Sequence, residues 1–440
     1  MTTYYFIGIK GSGMSSLAQI LHDQGNQVLG SDIDQFTFTQ IPLVESGIEV
    51  LTFDINNIKE NYTIVVGNAF DDDNIEVAQA KSMNLPIFTY PEIVEQVINQ
   101  HISIGIAGAH GKTSTTGILV SILNASNSTS YLIGDGTGKG VKDSQYFVFE
   151  ADEYQRHFQD YTPDYAIVTN IDFDHPDYFK DIDDVTDAFA DFIQNIKKTV
   201  VAWGDDKQIR KIGSDNSKII FYGFDQSNDY VAVNIKKNVD GSSFDLQYHD
   251  QIIGHYQTPL YGEHGILNAM ASIIIAQLEK IDSDLIQDGL NKFQGVKRRF
   301  AQKQVGDITI IDDYAHHPSE ITATLDAARQ KFPDKKIIAI FQPHTFSRVI
   351  AYKNQFAESL DLADDVFLVE IFGSAREKQG NITSEDLGSV TKKFRGTISE
   401  NDLGELMKIK DAVVVFMGAG DISKYENMYE QLLIQTKRTI

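Results

Sequence analysis

The chain has 440 residues, enough for about three domains of the usual ~150 residues each. Its 42% hydrophobic and 23% charged content describes an ordinary soluble globular protein, neither disordered nor fibrous. The net charge of -24 argues against a general nucleic-acid or anionic-membrane surface, and the lack of cysteine excludes disulfides, thiolate catalysis and cysteine-ligated zinc. The N-terminus runs straight into strand-like residues with no leader pattern, and no apolar run approaches membrane-spanning length, so the cytoplasm is the expected location.

Residues 1–98 read as alternating strands and helices. Tyr4 to Ile9 is a strand, Met14, Leu17, Ala18 and Leu21 form one helical face, and Val28 to Asp32 and Tyr62 to Gly67 are further strands. Such alternation implies a parallel sheet covered by helices. The loop Gly8-Ile-Lys-Gly11-Ser12-Gly13-Met14 joins the first strand to its helix, and Asp32 ends the next strand. Read loosely this is a dinucleotide fold; read strictly it is Gly-x-x-Gly-x-Gly, a weak signal for NAD. A diphosphate suits that helix N-terminus, and a tight turn that needs glycine and nothing more is the plain alternative.

Alternation restarts near residue 102, after a boundary at 90–101. Ile102, Ile104 and Ile106 form a buried strand that meets Gly108-Ala109-His110-Gly111-Lys112-Thr113-Ser114, and a helix with Ile118, Leu119, Ile122 and Leu123 on one face follows. This is a phosphate-binding loop. Gly108 and Gly111 let successive amides face phosphate oxygens, Lys112 neutralises the outer phosphates, and the Thr113 hydroxyl suits Mg²⁺. The usual pattern has a glycine where Ile106 stands, so the motif is the shorter Gly-x-x-Gly-Lys-Thr. Gln145 to Glu150, Tyr165 to Asn170 and Lys198 to Ala202 are strands. Glu150, in Glu-Ala-Asp-Glu, lies at a strand end where a carboxylate can reach a metal at the loop. His175 follows another strand; taken alone it reads as a helix-entry or hydrogen-bonding residue, since Mg²⁺ prefers oxygen donors. Residues 218–260 change to period two around Asp240-Gly241, a hairpin signal, and predict an antiparallel addition to the central domain of 99–300.

Residues 301–440 form a third alternating unit, with strands at Ile308 to Asp312, Lys336 to Phe341, Val366 to Ile371 and Val413 to Phe416 and a helix after Pro318. Asp312-Asp313-Tyr-Ala-His316-His317 and Gln342-Pro-His344-Thr-Phe-Ser-Arg348 stand at strand ends, where doubly wound sheets bind ligands. Two histidines and an arginine there suit a carboxylate, Arg348 by a bidentate pair and His316 and His344 by hydrogen bonds. Zinc is the rival reading, disfavoured by the lack of compact ligand spacing; isolated surface histidines are the plain one.

Together with Gly-Glu-His (262–264), Leu-Asn-Ala (267–269), Lys-Arg-Arg-Phe (297–300) and Gly-Ala-Gly-Asp (418–421), these stretches resemble the Mur ligases, ATP-dependent amide-forming enzymes of bacterial cell-wall precursor synthesis. The resemblance runs through all three domains in the right order. It implies an α/β fold with a Rossmann-like N-terminal domain, a P-loop ATPase-like centre with the antiparallel addition, and a Rossmann-like C-terminal domain. It further implies a UDP-sugar near Gly11, Ser12, Gly13, Met14 and Asp32, and ATP at 108–114 with Asn268 near the adenine and Asp313 near the ribose. Thr113, Glu150 and His175 would hold Mg²⁺, with Mn²⁺ as the alternative. The last motifs point to the alanine-adding member, with UDP-N-acetylmuramate, L-alanine and ATP as partners and His316, His344 and Arg348 positioning the amino acid. The expected reaction goes through an acyl phosphate, with Lys112 and Mg²⁺ neutralising the charge on the transferring group. A monomer or weak homodimer is expected. Two departures from the family pattern stand out: Gly265 where asparagine is common, and Tyr154-Gln-Arg-His157 where Ser-Asp is common after Glu-Ala-Asp-Glu. A ligase that recycles murein tripeptide, a phosphate-loop kinase and an NAD-linked dehydrogenase remain the rival readings.

Overall fold

Three runs of apolar strands and amphipathic helices build three sheets in a computed structural model, which describes residues 2–134, 136–176, 178–373 and 377–438. The first contains β1 (Thr3–Ile7), β2 (Gln27–Asp32), β3 (Glu49–Thr52), β4 (Tyr62–Val66) and β5 (Ile87–Thr89), all parallel in the order β3-β2-β1-β4-β5. The order reverses between β1 and β4, and the glycine loop of residues 8–13 leaves the sheet at that switch.

The second sheet contains β6 (Ile102–Ala107), β7 (Thr129–Leu132), β8 (Gly138–Lys139), β9 (Tyr146–Glu150), β10 (Tyr165–Val168), β11 (Thr199–Trp203), β12 (Lys218–Gly223), β13 (Tyr230–Asn238), β14 (Gly241–Tyr248) and β15 (Gln251–Thr258). Its order is β15-β14-β13-β12-β11-β10-β6-β9-β7-β8. The phosphate-loop strand β6 therefore lies between β9 and β10, parallel to both, with Ile106 opposite Glu150 and Ala107 opposite Val168. That placement brings the carboxyl ends of β9 and β10 to either side of the loop. The predicted hairpin is β13 and β14, joined by the two-residue turn at 239–240.

The third sheet contains β16 (Ala301–Val305), β17 (Ile308–Asp313), β18 (Lys336–Phe341), β19 (Asp365–Leu368), β20 (Phe394–Thr397) and β21 (Ala412–Met417), in the order β16-β17-β21-β18-β19-β20. Only β16 runs antiparallel to its neighbour among the pairings of this sheet. The sequence pattern misses β16 because Ala-Gln-Lys-Gln-Val is a polar edge strand with no buried face. The central strands β17, β18 and β21 are apolar nearly throughout, as strands covered on both faces must be.

The chain divides into two compact units, residues 1–233, 246–254 and 267–293, and residues 234–245, 255–266 and 294–440. In the first, the helix Ser12–Asp23 lies on the connection between β7 and β8: Ser16 Oγ donates to the Ile133 carbonyl (3.2 Å) and Gln19 Nε2 to the Gly136 carbonyl (3.0 Å). The approach requires glycine at 138, where a Cβ would stand 2.1 Å from the Ser16 carbonyl oxygen. In the second, Gln330 bolts the helix Pro318–Lys331 to the hairpin turn. Its Nε2 donates to the carbonyls of Asn238 (3.1 Å) and Gly241 (2.9 Å), and its Oε1 accepts from the Gly262 amide (2.8 Å).

Glu76 is fully buried under β2 and accepts from Tyr5 Oη (2.9 Å), the Asp54 amide (2.9 Å), Asn57 Nδ2 (2.9 Å) and Ser31 Oγ. One carboxylate thus fixes the end of β2 that carries Asp32. Glu76→Ala strands these donors without an acceptor and should cost about 3 kcal/mol. Urea unfolding checks this; a loss below about 0.5 kcal/mol would show that water replaces the carboxylate.

Candidate active site

The phosphate loop is shaped by its neighbours as much as by its glycines. Gly108 and Gly111 have φ of 141° and 85°, left-handed backbone that favours glycine. A Cβ at Gly108 would also lie 2.0 Å from Thr169 Oγ1. From the end of β10, Asn170 accepts from the His110 amide (2.9 Å) through Oδ1 and donates to the His110 carbonyl (2.9 Å) through Nδ2. Its own carbonyl accepts from the Ala109 amide (3.3 Å). Lys112, Thr113 and Ser114 open the helix Lys112–Asn124. The buried Asn268 faces the loop: a Cβ on Gly111 would be 3.3 Å from its Oδ1.

Lys112 Nζ donates to the Gly108 carbonyl (2.6 Å) and to Glu153 Oε2 (2.7 Å). Burial works against the ammonium, but Glu153, with Asp152 and Glu150 behind it, overrides this and raises the lysine pKa above its ordinary value. Glu153 is 2% exposed, and its second oxygen has no hydrogen-bond donor among the described residues and lies 4.0 Å from His175 Nε2. Lys112, Glu150, Glu153 and His175 thus gather around one loop. His175 has a φ of 57°, and its ring packs against Tyr154 with centroids 4.7 Å apart.

At the first glycine loop, Gly11 donates to the Gly8 carbonyl (3.2 Å), and Ser12 and Gly13 begin the helix. Gly13 lies under Tyr90, whose Cζ would be 2.8 Å from a Cβ there, and Met14 is buried against Gly67. Both Asp32 oxygens are engaged, one by the Lys10 amide (2.7 Å) and one by the Ile33 amide (2.7 Å). Lys10 Nζ closes the same turn on the carbonyls of Ile33 (2.7 Å) and Gln35 (3.1 Å). Asp32 therefore sews the loop together in this structure.

In the third sheet the ends of the adjacent strands β17, β21 and β18 converge. His316 and His344 have ring centroids 6.2 Å apart, and Arg348 Nη1 donates to the His344 carbonyl (3.1 Å). In the turn after β21, Asp421 accepts from Gln342 Nε2 (2.6 Å). Asp313 accepts from the Phe300 amide (2.7 Å) and the Ala315 amide (2.8 Å), tying the residues before β16 to the turn after β17.

Models of three Mur ligase domains match in this order: the family catalytic domain over residues 3–102, the middle domain over 106–276 and the glutamate ligase domain over 298–420. The chain is 60% identical over 437 residues to the UDP-N-acetylmuramate–L-alanine ligase of Leuconostoc mesenteroides, covering 99% of this chain and 98% of that one. This chain belongs to the Mur ligase family. The Leuconostoc citreum enzyme of the same description is 57% identical over 99% of the Mur ligase chain and 98% of its own. A solved UDP-N-acetylmuramate–alanine ligase from Thermotoga maritima superposes with a TM-score of 0.80 at 25% identity, over 99% of this chain and 100% of that one. A murein peptide ligase from Psychrobacter arcticus shares the fold, with a TM-score of 0.68 at 24% identity over 98% and 99% of the two chains. Membership of an amide-forming ligase family sets aside the kinase and dehydrogenase readings.

Several site residues of this Mur ligase escape sequence reasoning. Glu153 is within the motif that singled out Glu150, yet only the fold places it on Lys112. Asp206 accepts from the Ile171 amide (2.9 Å) and the Gln208 amide (2.7 Å), fastening the His175 loop to the end of β11. The unusual 154–157 segment is also accounted for: Arg156 pairs with Asp184 (2.6 Å) while Tyr154 faces His175. At Gly265 a Cβ would come within 2.8 Å of Leu260 Cβ, so asparagine would need that side chain to move.

Burial pushes the Asp313 carboxyl up to about 6 from 3.8, against the pull of Arg299 and of the Ala315 and Phe300 amides. The folded state therefore holds this proton more tightly than the unfolded chain, and the group's contribution to stability falls as pH rises from about 4 to 6. The wild-type stability measured against Asp313→Asn should decline by about 2 kcal/mol between pH 4 and 7. A pH-independent difference in denaturant titrations would contradict it.

Proposed function

We propose that this Mur ligase joins L-alanine to the carboxylate of UDP-N-acetylmuramate at the expense of ATP, releasing ADP and phosphate, in the cytoplasmic synthesis of peptidoglycan precursor. The observation that carries this is the 60% identity, along 99% of the chain, with a ligase of that description. The site's chemistry supports it.

Lys112 is charged and preset at the loop; on ATP binding its bonds to Gly108 and Glu153 would pass to phosphate oxygens. The oxygen-rich surroundings of the loop fit a hard divalent cation, because the second oxygen of buried Glu153 lacks a donor among the described residues and faces the His175 side. Thr113, Glu150 and His175 would hold Mg²⁺ or Mn²⁺ there. The ion would neutralise charge on the transferring phosphoryl group. The muramoyl carboxylate attacks the γ-phosphorus and ADP leaves; the alanine amine then attacks the acyl carbon and phosphate leaves. Arg348, His316 and His344 would receive the alanine, Arg348 pairing with its carboxylate. Gly11 to Met14 offer the helix N-terminus to the sugar's diphosphate. Asn268 and Asp313 are assigned to the adenine and ribose.

Phosphate release from ATP with UDP-N-acetylmuramate should require L-alanine. Release that depends on a murein tripeptide and ignores alanine would overturn the assignment. Lys112→Ala should lower kcat on the order of 10²–10³-fold. Turnover within about twofold of wild type would remove Lys112 from the transition state. Arg348→Ala should raise the KM for alanine while leaving ATP affinity intact; an unchanged alanine dependence would take Arg348 out of the site.

A further inference from the structure

His316 is held from one side only. Its Nδ1 faces two oxygens, the Tyr314 carbonyl at 3.0 Å and Glu320 Oε2 at 3.1 Å. Neither a carbonyl nor a carboxylate can donate, so Nδ1 must carry the proton, and in the neutral ring the lone pair falls on Nε2. Nε2 makes no hydrogen bond within the described residues, and the side chain is 16% exposed. The ring stands edge-to-face with His344.

Glu320 is itself immobilised. Its Oε2 accepts from the amides of His316 (2.9 Å) and His317 (3.2 Å), capping the helix Pro318–Lys331, while Oε1 lies 3.5 Å from Arg299 Nη1. A capping glutamate alone would need only the backbone amides. Here the same oxygen also reaches the imidazole, so cap and ring orientation are set by one group.

We propose that Glu320 is a positioning residue that locks His316 as the Nδ1–H tautomer and thereby presents Nε2 as the proton acceptor for the incoming amino group. This rests on the alanine-site reading above. Alanine enters as an ammonium ion and cannot attack until one proton leaves. That proton passes to Nε2, making an imidazolium whose Nδ1–H still faces Glu320. The freed amine forms the C–N bond at the acyl carbon, the C–O bond to phosphate breaks with its electron pair leaving on phosphate, and the second proton of the attacking nitrogen departs on that phosphate. His316 is then the catalytic residue, and Glu320 acts through it.

Long-range ¹H–¹⁵N correlation spectra of the full-length wild-type protein near neutral pH should show His316 in the Nδ1–H form; an Nε2–H ring overturns the proposal without any variant. In kinetics, Glu320→Ala should lower kcat at saturating alanine on the order of tenfold. Formation of hydroxamate from hydroxylamine, which is already neutral near pH 7, should stay within about twofold in that variant, because no base is needed. Glu320→Gln, which can keep an oxygen at the Oε2 position, should restore both the tautomer and most of the alanine rate. Equal losses with alanine and hydroxylamine, or an unchanged alanine rate in Glu320→Ala, reduce Glu320 to a helix cap and overturn the proposal. The alanine-site reading fails separately, through an unchanged alanine KM in Arg348→Ala, whereas the tautomer is read without substrate.

Discussion

A lysine ammonium removed from water must be given partners, and the central domain is arranged around that requirement. Lys112 has two, the Gly108 carbonyl and Glu153. Breaking such a pair would leave an uncompensated buried charge, so position 153 is bound to position 112 by more than proximity. The strand order makes the pair possible. With β6 between β9 and β10, one neighbour delivers the acidic run of 150–153 and the other delivers Thr169 and Asn170, which grip the loop by its backbone. The loop is thereby held by its neighbours, and under the proposed function the ammonium would need only to exchange one set of oxygens for another when a nucleotide binds.

The same economy recurs in the outer domains. Asp32 and Asp313 both end a strand, and both spend their oxygens on backbone amides of the following turn or of the chain beside it. They hold loops in place at the carboxyl ends of their strands. A residue can be named from a motif as a ligand contact and still act first as a support.

The sheets were legible because their central strands are apolar runs of ordinary length, such as Lys336–Phe341, found at the boundaries the pattern indicates. The phosphate loop and the strand-end histidines were legible because glycine, lysine and histidine in such places carry chemistry of their own. What stayed hidden depends on contacts between distant parts of the chain. β16 has no apolar face to betray it, and β7 and β8 are too short to show a period. Asp206 is an ordinary carboxylate until the fold sets it under Ile171, and Glu320 looks like a cap until the His316 ring turns toward it. In the sequence Tyr154 is only a departure from a pattern; its neighbour His175 is reached through space.

The bolt at Gln330 bears on where this protein can be cut. By sequence the last domain starts near residue 301, but the compact unit that contains it also includes 234–245 and 255–266. Besides Gln330, Tyr261 belongs to that seam: its ring lies 4.5 Å from Lys331 Nζ and 5.7 Å from the Phe300 ring. A fragment starting at residue 301 would therefore expose a raw face, with one glutamine and one lysine deprived of their partners. The third domain inherits part of its surface from a hairpin that the chain completes some fifty residues earlier (Tyr248 to Ala301), and a domain swap using this chain has to carry that hairpin along.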